Sequence, residues 1–309
     1  MLGLALLFVL TACADANTSI DTTQPVITKA RPSPTLSTVA PVGSYQVQTI
    51  PNIAYGPQPA ETLDLCLPSG ASGARPGVIL IHGGGWVNGD KGDFAEQCAY
   101  LASLGFVAAT INYRLLPAHI WPAQLVDVQL AVRFLRQNAA SYGLDSSRLC
   151  SWGSSSGSQL AVFLGVSATI HDGDEAQLYP NQRVTVSCVI DEFGPVNLVT
   201  YQETQAQRGL TQLLLGGATP QSDPAAYQDA SPYFDVSARS APELIIQGTL
   251  DTTVPPDQSQ ALYASLQQAR VVAQYIPYVG EHAFSGLSAQ ALEQIRAEEA
   301  SYLVDYEHP

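Results

Sequence analysis

The sequence predicts an α/β fold, with one mostly parallel, doubly wound sheet of about eight strands and helices on both faces. Apolar runs of strand length alternate with segments of helical periodicity. A run of three glycines, residues 83–85, directly follows one early apolar run. The pentapeptide Gly-x-Ser-x-Gly, residues 153–157, lies between a strand-like and a helix-forming segment. We therefore expect one large domain over residues 45–309, with a small cap or none.

Composition limits the classes of function. The 309 residues are 46% hydrophobic and 13% charged, which allows a substantial core. The formal net charge is −14, so nucleic-acid backbones and anionic lipid surfaces would be repelled. No nucleic-acid partner is expected.

The first 44 residues differ from the rest of the chain. Residues 1–12 are apolar but too short to span a bilayer, and Leu10-Thr11-Ala12-Cys13 resembles the lipobox of bacterial lipoprotein signals. No Lys or Arg precedes this apolar run, so the signal is atypical or the true start lies upstream. We expect a signal peptide over 1–12, a lipid-modified Cys13 and a disordered Thr/Ser/Pro-rich linker to residue 44. The protein is then an extracytoplasmic, membrane-anchored bacterial lipoprotein, or otherwise secreted.

The predicted elements follow in order. Residues 45–53 and 61–67 form an antiparallel edge joined by a Gly-Pro turn, and the continuous apolar run 76–82 is a central parallel strand. Further strands are predicted at 106–112, 147–153, 185–190, 243–247 and 273–278. The strand at 147–153 leads into the sharp turn, or elbow, of the Gly-x-Ser-x-Gly pentapeptide. Helices are predicted at 94–104, 121–143, from the serine turn to about 168, at 257–269, and in a last amphipathic segment that includes Leu292, Ile295 and Tyr302. An insertion over 195–239 with a short helix near 210–215 is the one candidate for a cap.

Four cysteines lie within the predicted domain. Cys66, Cys150 and Cys188 lie in apolar strand-like runs, where cysteine behaves as a small hydrophobic residue. With Cys98 they allow three disulfide pairings in an oxidising compartment. We expect buried thiols. There is no Cys-x-x-Cys and no histidine cluster, so neither a metal site nor a cofactor is expected.

The pentapeptide and the glycine run predict the reacting groups. A sharp strand-to-helix turn exposes the hydroxyl of its central serine, here Ser155, as a nucleophile. Three adjacent glycines let a negative oxygen approach the main chain, as in the oxyanion loop of lipases and esterases. We assign the oxyanion donors to the backbone N–H groups of Gly84, Gly85 and Ser156. Trp86, which follows the glycines, either lines a substrate pocket or packs in the core.

A serine nucleophile needs a base and a carboxylate that orients it. Among five histidines, only His282 lies in a loop after a late strand, and Asp251 lies in the loop after the preceding strand. The chain order Ser155, Asp251, His282 is the one found in α/β-hydrolases. Asp191, one strand earlier, is the reserve acid.

The chain resembles α/β-hydrolase carboxylesterases, and most of all the bifunctional feruloyl and acetylxylan esterases. The matching segments lie at 82–91, 112–115, 122–127, 142–145, 153–157, 193–195, 248–251 and 282–284. The resemblance covers about 45–300, is specific for fold and triad, and is weak for substrate. Members usually have a smaller residue where this chain has Ser156, and glycine where it has Glu281. We expect the Glu281 carboxylate to raise the pKa of His282.

The expected activity is hydrolysis of carboxylic esters through an acyl-enzyme, with acetylated or feruloylated plant polysaccharide as the candidate substrate. The substrate is a small-molecule or polysaccharide-linked ester, and no cofactor is needed. The alternatives are an arylformamidase-like or peptidase-like serine hydrolase, or a non-catalytic binding protein on the same fold. Acyl preference and oligomeric state stay open.

Overall fold

A computed structural model describes residues 45–166, 174–203 and 209–307. The predicted signal peptide, Cys13 and linker lie outside the described residues. One eight-stranded sheet organises the domain. Its strands are β1 (Gln46–Ala54), β2 (Thr62–Ser69), β3 (Arg75–Ile81), β4 (Val107–Ile111), β5 (Leu144–Ser154), β6 (Val189–Glu192), β7 (Glu243–Gly248) and β8 (Ala273–Tyr278). Their spatial order is β1-β2-β4-β3-β5-β6-β7-β8. The β1–β2 and β2–β4 pairs are antiparallel and the other five are parallel. The predicted antiparallel edge and the mostly parallel sheet are therefore confirmed.

Helices cover both faces of this sheet. They are α1 (Ala95–Ser103), α2 (Ala123–Gln137), α3 (Ala139–Tyr142), α4 (Ser156–Val166), α5 (Leu210–Leu214), α6 (Pro224–Asp229), α7 (Asp257–Gln268) and α8 (Ala289–Glu307). One core layer joins the sheet to α2, α4 and α7, and the other joins it to α1 and α8. Successive side chains of a strand point to opposite faces. Accordingly, Ile79 and Ile81 of β3 belong to the first layer, and Val78 and Leu80 to the second. No helix of the described chain is long and apolar enough to cross a membrane.

The strand predicted at 185–190 begins later than the sequence indicates, at Val189. Arg136 of α2 accounts for the difference. Its guanidinium donates hydrogen bonds of 2.5 Å to the carbonyl oxygens of both Arg183 and Thr185. These two carbonyls are therefore held by a side chain. Regular pairing with β5 begins only after them, where the Ser187 N–H donates to the Leu149 carbonyl at 2.8 Å.

The expectation of four buried thiols was wrong. Cys66 of β2 is bonded to Cys98 of α1, and Cys150 of β5 is bonded to Cys188 just before β6. The apolar surroundings were predicted correctly, because all four side chains are buried. Sheet order decided the pairing, since β5 and β6 are parallel neighbours and α1 packs over β2. The Cα atoms lie 5.8 and 4.6 Å apart, within the range that a disulfide spans.

The insertion between β6 and β7 carries two short helices, α5 and α6. Glu203 holds the start of α5, because its carboxylate accepts hydrogen bonds from the backbone N–H groups of Gly209 and Thr211, each 2.5 Å long. Trp121 ties the end of α6 to the domain through an indole N–H bond of 2.8 Å to Asp229. In its described part, this insertion is a small cap.

Candidate active site

The turn between β5 and α4 projects Ser155 from the carboxyl edge of the sheet. Ser155 has φ +54°, in the left-handed region that a non-glycine residue seldom adopts. The flanking glycines permit the close packing. A Cβ on Gly153 would lie 2.3 Å from the carbonyl oxygen of Gly157, and one on Gly157 would lie 2.2 Å from that of Ile81. Any side chain at either position would therefore force β5, α4 and β3 apart.

Ser155, His282 and Asp251 form a continuous hydrogen-bonded series. The Nε2 atom of His282 lies 3.0 Å from the Ser155 Oγ, and its Nδ1 atom lies 2.7 Å from the Asp251 Oδ2. A carboxylate can only accept, so Nδ1 carries the proton and the Nε2 lone pair faces the serine hydroxyl. The Asp251 Oδ1 accepts the backbone N–H groups of Thr253 and Val254 at 2.8 and 2.9 Å. These bonds fix the carboxylate so that it can hold the imidazole in the orientation that a base next to a serine nucleophile needs.

Parallel strands bring these groups together from distant parts of the chain. Asp251 follows β7 and His282 follows the neighbouring β8, while Ser155 follows β5. The backbone after His282 is unusual, since Ala283 and Phe284 have φ +54° and +61°. The Tyr278 hydroxyl braces this turn by donating to the Glu281 carbonyl (2.9 Å) and accepting from the Phe284 N–H (3.2 Å).

The sequence analysis assigned no role in the site to two supporting residues, Phe193 and Tyr278. Phe193, at φ +48°, packs edge-on against the imidazole of His282 with ring centroids 4.7 Å apart. Tyr278, described above, occupies an ordinary position near the end of a strand. The resemblance had marked Phe193 through its Phe-Gly-Pro segment, but no pattern in the sequence marks Tyr278.

The predicted oxyanion groups lie next to Ser155. Gly84 and Gly85 have φ +107° and +62°, and both line the same cavity as Ser155. The Gly84 carbonyl accepts the N–H groups of Val87 and Asn88 at 3.2 Å, which closes the loop into a tight turn. Within the described ranges, the N–H groups of Gly84, Gly85 and Ser156 have no protein acceptor. Ser156 is the first residue of α4, where backbone N–H groups point out of the helix. These unpaired donors are suited to a developing negative oxygen.

Trp86 does not line the cavity, so the prediction that it could contact the substrate was wrong. Its side chain is 2% exposed, and the indole N–H donates to the Gln159 Oε1 at 3.0 Å. The backbone at Trp86 has φ +61°, which turns the ring away from the glycine run and into the core. Of the two alternatives that the sequence left open, packing is the one observed.

The reserve acid, Asp191, lies away from His282. It is fully buried and accepts the Ser158 hydroxyl at 2.5 Å and the Gly194 N–H at 2.8 Å. Burial raises the pKa of Asp191 to about 6. It braces the first turn of α4 and does not orient the imidazole. Glu281, in turn, points to Thr252, with 3.4 Å between their oxygens, and its effect on the pKa of His282 stays a prediction.

A cavity of about 540 Å³ opens beside Ser155 and His282. Several of its lining side chains are polar, namely Asn88, Asp93, Gln97, Glu192 and Arg296. Arg296 of α8 is fixed there by hydrogen bonds to Glu192 and to Glu299, the latter 2.8 Å long. Its guanidinium also packs on the Phe284 ring, 4.9 Å from the centroid. Helix positions such as 97 and 296 carry no sequence signal for a pocket, so these residues were missed.

Two further residues bear on the electrostatics of the site. Burial raises the pKa of Glu299 well above its ordinary range. The other histidine near the site is His82, which precedes the glycine run. Burial lowers the pKa of His82, which favours the neutral ring. In the parts of the chain that the structure describes, no cluster of His, Cys, Asp or Glu is arranged to hold a metal ion.

Two proteins that are similar to this chain in sequence are named as esterases. The chain is 28% identical over 245 residues to a probable isoprenylcysteine alpha-carbonyl methylesterase of Oryza sativa subsp. japonica, covering 77% of this chain and 57% of that protein. It is 27% identical over 222 residues to esterase LipC of Mycobacterium tuberculosis, covering 70% and 54%. The chain thus spans little more than half the length of these curated relatives.

A solved structure supports the fold. The chain superposes on a truncated carbohydrate esterase from gut microbiota with a TM-score of 0.74 and 27% identity, covering 86% of this chain and 98% of that one. The predicted α/β-hydrolase fold is therefore confirmed. The sequence model of the BD-FAE family matches residues 63–266. This match covers more than half of the sequence and includes both Ser155 and Asp251. On this match, the chain belongs to the BD-FAE family of α/β-hydrolases.

Proposed function

We propose that this protein is a serine carboxylesterase with Ser155 as nucleophile, His282 as general base and Asp251 as the carboxylate that orients the imidazole. The observation that carries the proposal is the unbroken series of contacts from Ser155 Oγ to His282 (3.0 Å) and from His282 to Asp251 (2.7 Å). The esterases among the relatives support the same reaction class.

In this mechanism the Ser155 oxygen attacks the ester carbonyl carbon while its proton passes to the His282 Nε2. The carbonyl oxygen becomes negative and is stabilised by the N–H groups of Gly84, Gly85 and Ser156. His282 then returns the proton to the departing alcohol, which leaves an acyl group on Ser155. Water, deprotonated by the same imidazole, attacks this acyl group and releases the acid.

For the substrate, we propose an ester on a polar, hydroxyl-rich carrier such as acetylated or feruloylated plant polysaccharide. The cavity supports this class, since the side chains of Asn88, Asp93 and Gln97 offer hydrogen bonds beside Ser155. Aromatic rings of Phe94, Phe193 and Phe284 line the same cavity and suit a planar acyl group. The similarity to a carbohydrate esterase points the same way.

The test is a substrate panel run on the wild type and on Ser155→Ala. Acetyl to octanoyl p-nitrophenyl esters, acetylated xylan and methyl ferulate are compared, with formylkynurenine and a peptide ester as probes of the alternative hydrolase classes. We expect turnover of acetylated xylan or methyl ferulate, abolished in Ser155→Ala. A fluorophosphonate should add one phosphonyl group to the wild type and none to the variant. Labelling of both proteins would contradict Ser155 as the nucleophile.

We also propose that the protein acts outside the cytoplasm, anchored through a lipid on Cys13. Two buried disulfides support an oxidising compartment, because such bonds seldom persist among cytosolic thiols. Replacing Cys13 with Ser should move the full-length protein from the membrane fraction to the soluble extracytoplasmic fraction. Equal membrane association of both forms would contradict the anchor.

A further inference from the structure

The wall of the active-site cavity carries a positive charge that the mechanism above does not use. Arg296 of α8 lines the same cavity as Ser155 and His282. Its side chain is 25% exposed, so the guanidinium is accessible to a molecule in the cavity. An arginine side chain is not deprotonated in proteins, so this group is a permanent cation. Its role is therefore a separate question from the chemistry at Ser155.

The guanidinium of Arg296 is held in place by four side chains. Its Nη1 atom donates to the Glu192 Oε1 and, at 2.8 Å, to the Glu299 Oε2. The same Glu192 oxygen accepts the indole N–H of Trp152 at 2.9 Å. The guanidinium also packs on the rings of Trp152 and Phe284, at 5.5 and 4.9 Å from their centroids. Because these contacts order the side chain before a substrate arrives, little conformational entropy is lost when a substrate binds to it.

The other nitrogens of this guanidinium keep their hydrogen-bonding capacity. Both bonds to carboxylates use one atom, Nη1. Within the described ranges, the Nε and Nη2 atoms of Arg296 have no protein acceptor, and neither is among the fully buried polar atoms that lack a partner. Their N–H groups are therefore available to a molecule that enters the cavity.

The charges around Arg296 disfavour an anionic ligand. Burial raises the pKa of Glu299 well above its ordinary range, so that carboxyl is neutral at about pH 7. Glu192 accepts N–H groups from both Arg296 and Trp152, as a carboxylate does, and it offsets the charge of the guanidinium. The carboxylate of Asp93 lines the same cavity. An anionic ligand would meet both carboxylates, whereas a hydroxyl, ether or methoxyl oxygen accepts the free N–H groups without adding charge.

Arg296 is also connected to the reacting groups. The Ser155 N–H donates to the backbone carbonyl of Glu192 at 2.8 Å, and the side chain of Glu192 holds the guanidinium. Phe284, on which the guanidinium packs, lies two residues after His282. All of these residues line one cavity. A substrate that fills this cavity with its ester at Ser155 therefore contacts Arg296 with another part of the molecule.

We propose that Arg296 is a specificity-determining residue that donates hydrogen bonds from Nε and Nη2 to neutral oxygen atoms of the substrate. These oxygens belong to the acyl group, as ring hydroxyl or methoxyl oxygens, or to the carrier, as sugar hydroxyls. Esters that offer such an acceptor have a higher kcat/KM than esters of the same shape that lack it. The proposal rests on the proposed function, because it concerns another part of the same ester.

The experiment measures kcat/KM for two matched pairs of esters. In the acyl pair, methyl ferulate carries ring hydroxyl and methoxyl oxygens that methyl cinnamate lacks. In the carrier pair, an O-acetylated methyl xyloside carries hydroxyls that cyclohexyl acetate lacks. The ratio within each pair cancels a general loss of activity, because both esters meet the same triad. The pair whose ratio depends on Arg296 identifies the source of the acceptor oxygen.

Two substitutions of Arg296 test the donors. Arg296→Met keeps an unbranched side chain without N–H groups, and it should lower the ratio of the responsive pair by about ten- to a hundredfold, as expected for hydrogen bonds from a charged donor. Arg296→Lys should also lower this ratio, because a lysine ammonium is a single point that stays with Glu192 and Glu299. Since Arg296→Lys keeps the positive charge beside Glu192, it tests the proposal even where Arg296→Met does not fold.

Arg148→Met is the matched control. The Arg148 side chain is 33% exposed and pairs with Asp145 at 2.8 Å, so this variant also loses an ion-paired arginine. Arg148 does not line the cavity, and both ratios should therefore stay at their wild-type values.

Three results would overturn the proposal. The first is a wild-type enzyme with no preference within either pair, or with a preference that the folded Arg296 variants retain. The second is an equal fall of the ratio in Arg148→Met. The third is a wild-type preference for p-nitrophenyl hydrogen succinate over p-nitrophenyl butyrate that is lost in Arg296→Met, since the ligand of Arg296 is then an anion. If the wild type hydrolyses none of these esters, the proposed function fails instead, which separates the two outcomes.

Discussion

Replacing Asp251 with Asn tests which carboxylate orients His282, and the structure dictates how the amide must sit. The Asp251 Oδ1 accepts two backbone N–H groups, those of Thr253 and Val254. An amide nitrogen at that position would face two backbone donors, whereas at the Oδ2 position it would face one side-chain donor, the Gln247 Nε2 at 3.2 Å. We therefore expect the Asn oxygen to take the Oδ1 position. The amide NH₂ group then occupies the Oδ2 position, 2.7 Å from the His282 Nδ1.

This arrangement reverses the imidazole tautomer. A donor at Oδ2 requires a lone pair on Nδ1, so the ring proton moves to Nε2, which faces Ser155 at 3.0 Å. The base can then no longer accept the serine proton. In serine proteases with the same triad, this substitution lowers kcat by about 10⁴, equivalent to about 5 kcal/mol of activation free energy. We expect a loss of that order here.

The assay is the steady-state rate on p-nitrophenyl acetate, with Asp191→Asn as the matched control. Asp191 lies one strand away and is hydrogen-bonded to Ser158 and Gly194, so its amide variant should keep most of the activity. Thermal unfolding of each variant establishes that it is folded. The expected loss of kcat in Asp251→Asn is about 10⁴ fold. Asp251 is not the orienting carboxylate if this variant keeps more than about a tenth of the wild-type kcat, or if Asp191→Asn loses as much kcat as Asp251→Asn does.

The remaining predictions concern stability and packing. Burial raises the pKa of Asp191 to about 6, so the native state binds the Asp191 proton more tightly than the unfolded chain does. The stability that this proton contributes is lost as the pH rises through about 6. Asp191→Asn should therefore raise the free energy of unfolding in urea at pH 8 by up to about 3 kcal/mol, with little change at pH 4; an equal change at both would contradict the assignment. Replacing both Cys150 and Cys188 with Ala opens a bridge with a sequence separation of 38 residues, and should lower the unfolding free energy by about 4 kcal/mol, with the wild type under reducing conditions as the comparison. Trp86→Phe removes a buried hydrogen bond and should lower stability by about 1 to 3 kcal/mol while leaving KM unchanged, since the ring does not line the cavity; a large rise in KM would restore it as a substrate contact.

Local patterns in the sequence determined the fold class and the chemistry of the site. Apolar runs of strand length and helical spacing predicted all eight strands. β5 begins at Leu144, earlier than the predicted residue 147, and the larger displacement is the start of β6, at Val189 instead of residue 185. That error arose because Arg136, from α2, takes the carbonyl groups of residues 183 and 185. The elbow at Ser155 needs glycines at 153 and 157 for steric reasons, and such a requirement can be read from the residues alone. The parallel strands then explain why Asp251 and His282, each in a loop after a strand, lie at one edge of the sheet.

The tertiary structure decided which side chains became partners. Cys150 and Cys188 are bonded because β5 and β6 are neighbours, and a linear sequence does not state that order. Trp86 points into the core because its backbone is at φ +61°, a local angle fixed by the packing of the loop. The Trp86 N–H donates to the Ser156 hydroxyl, a contact between residues 70 positions apart that no sequence pattern indicates. Residue type and periodicity specify the elements and the reactive groups, whereas contacts between distant side chains depend on sheet order and backbone angles that exist only once the chain has folded.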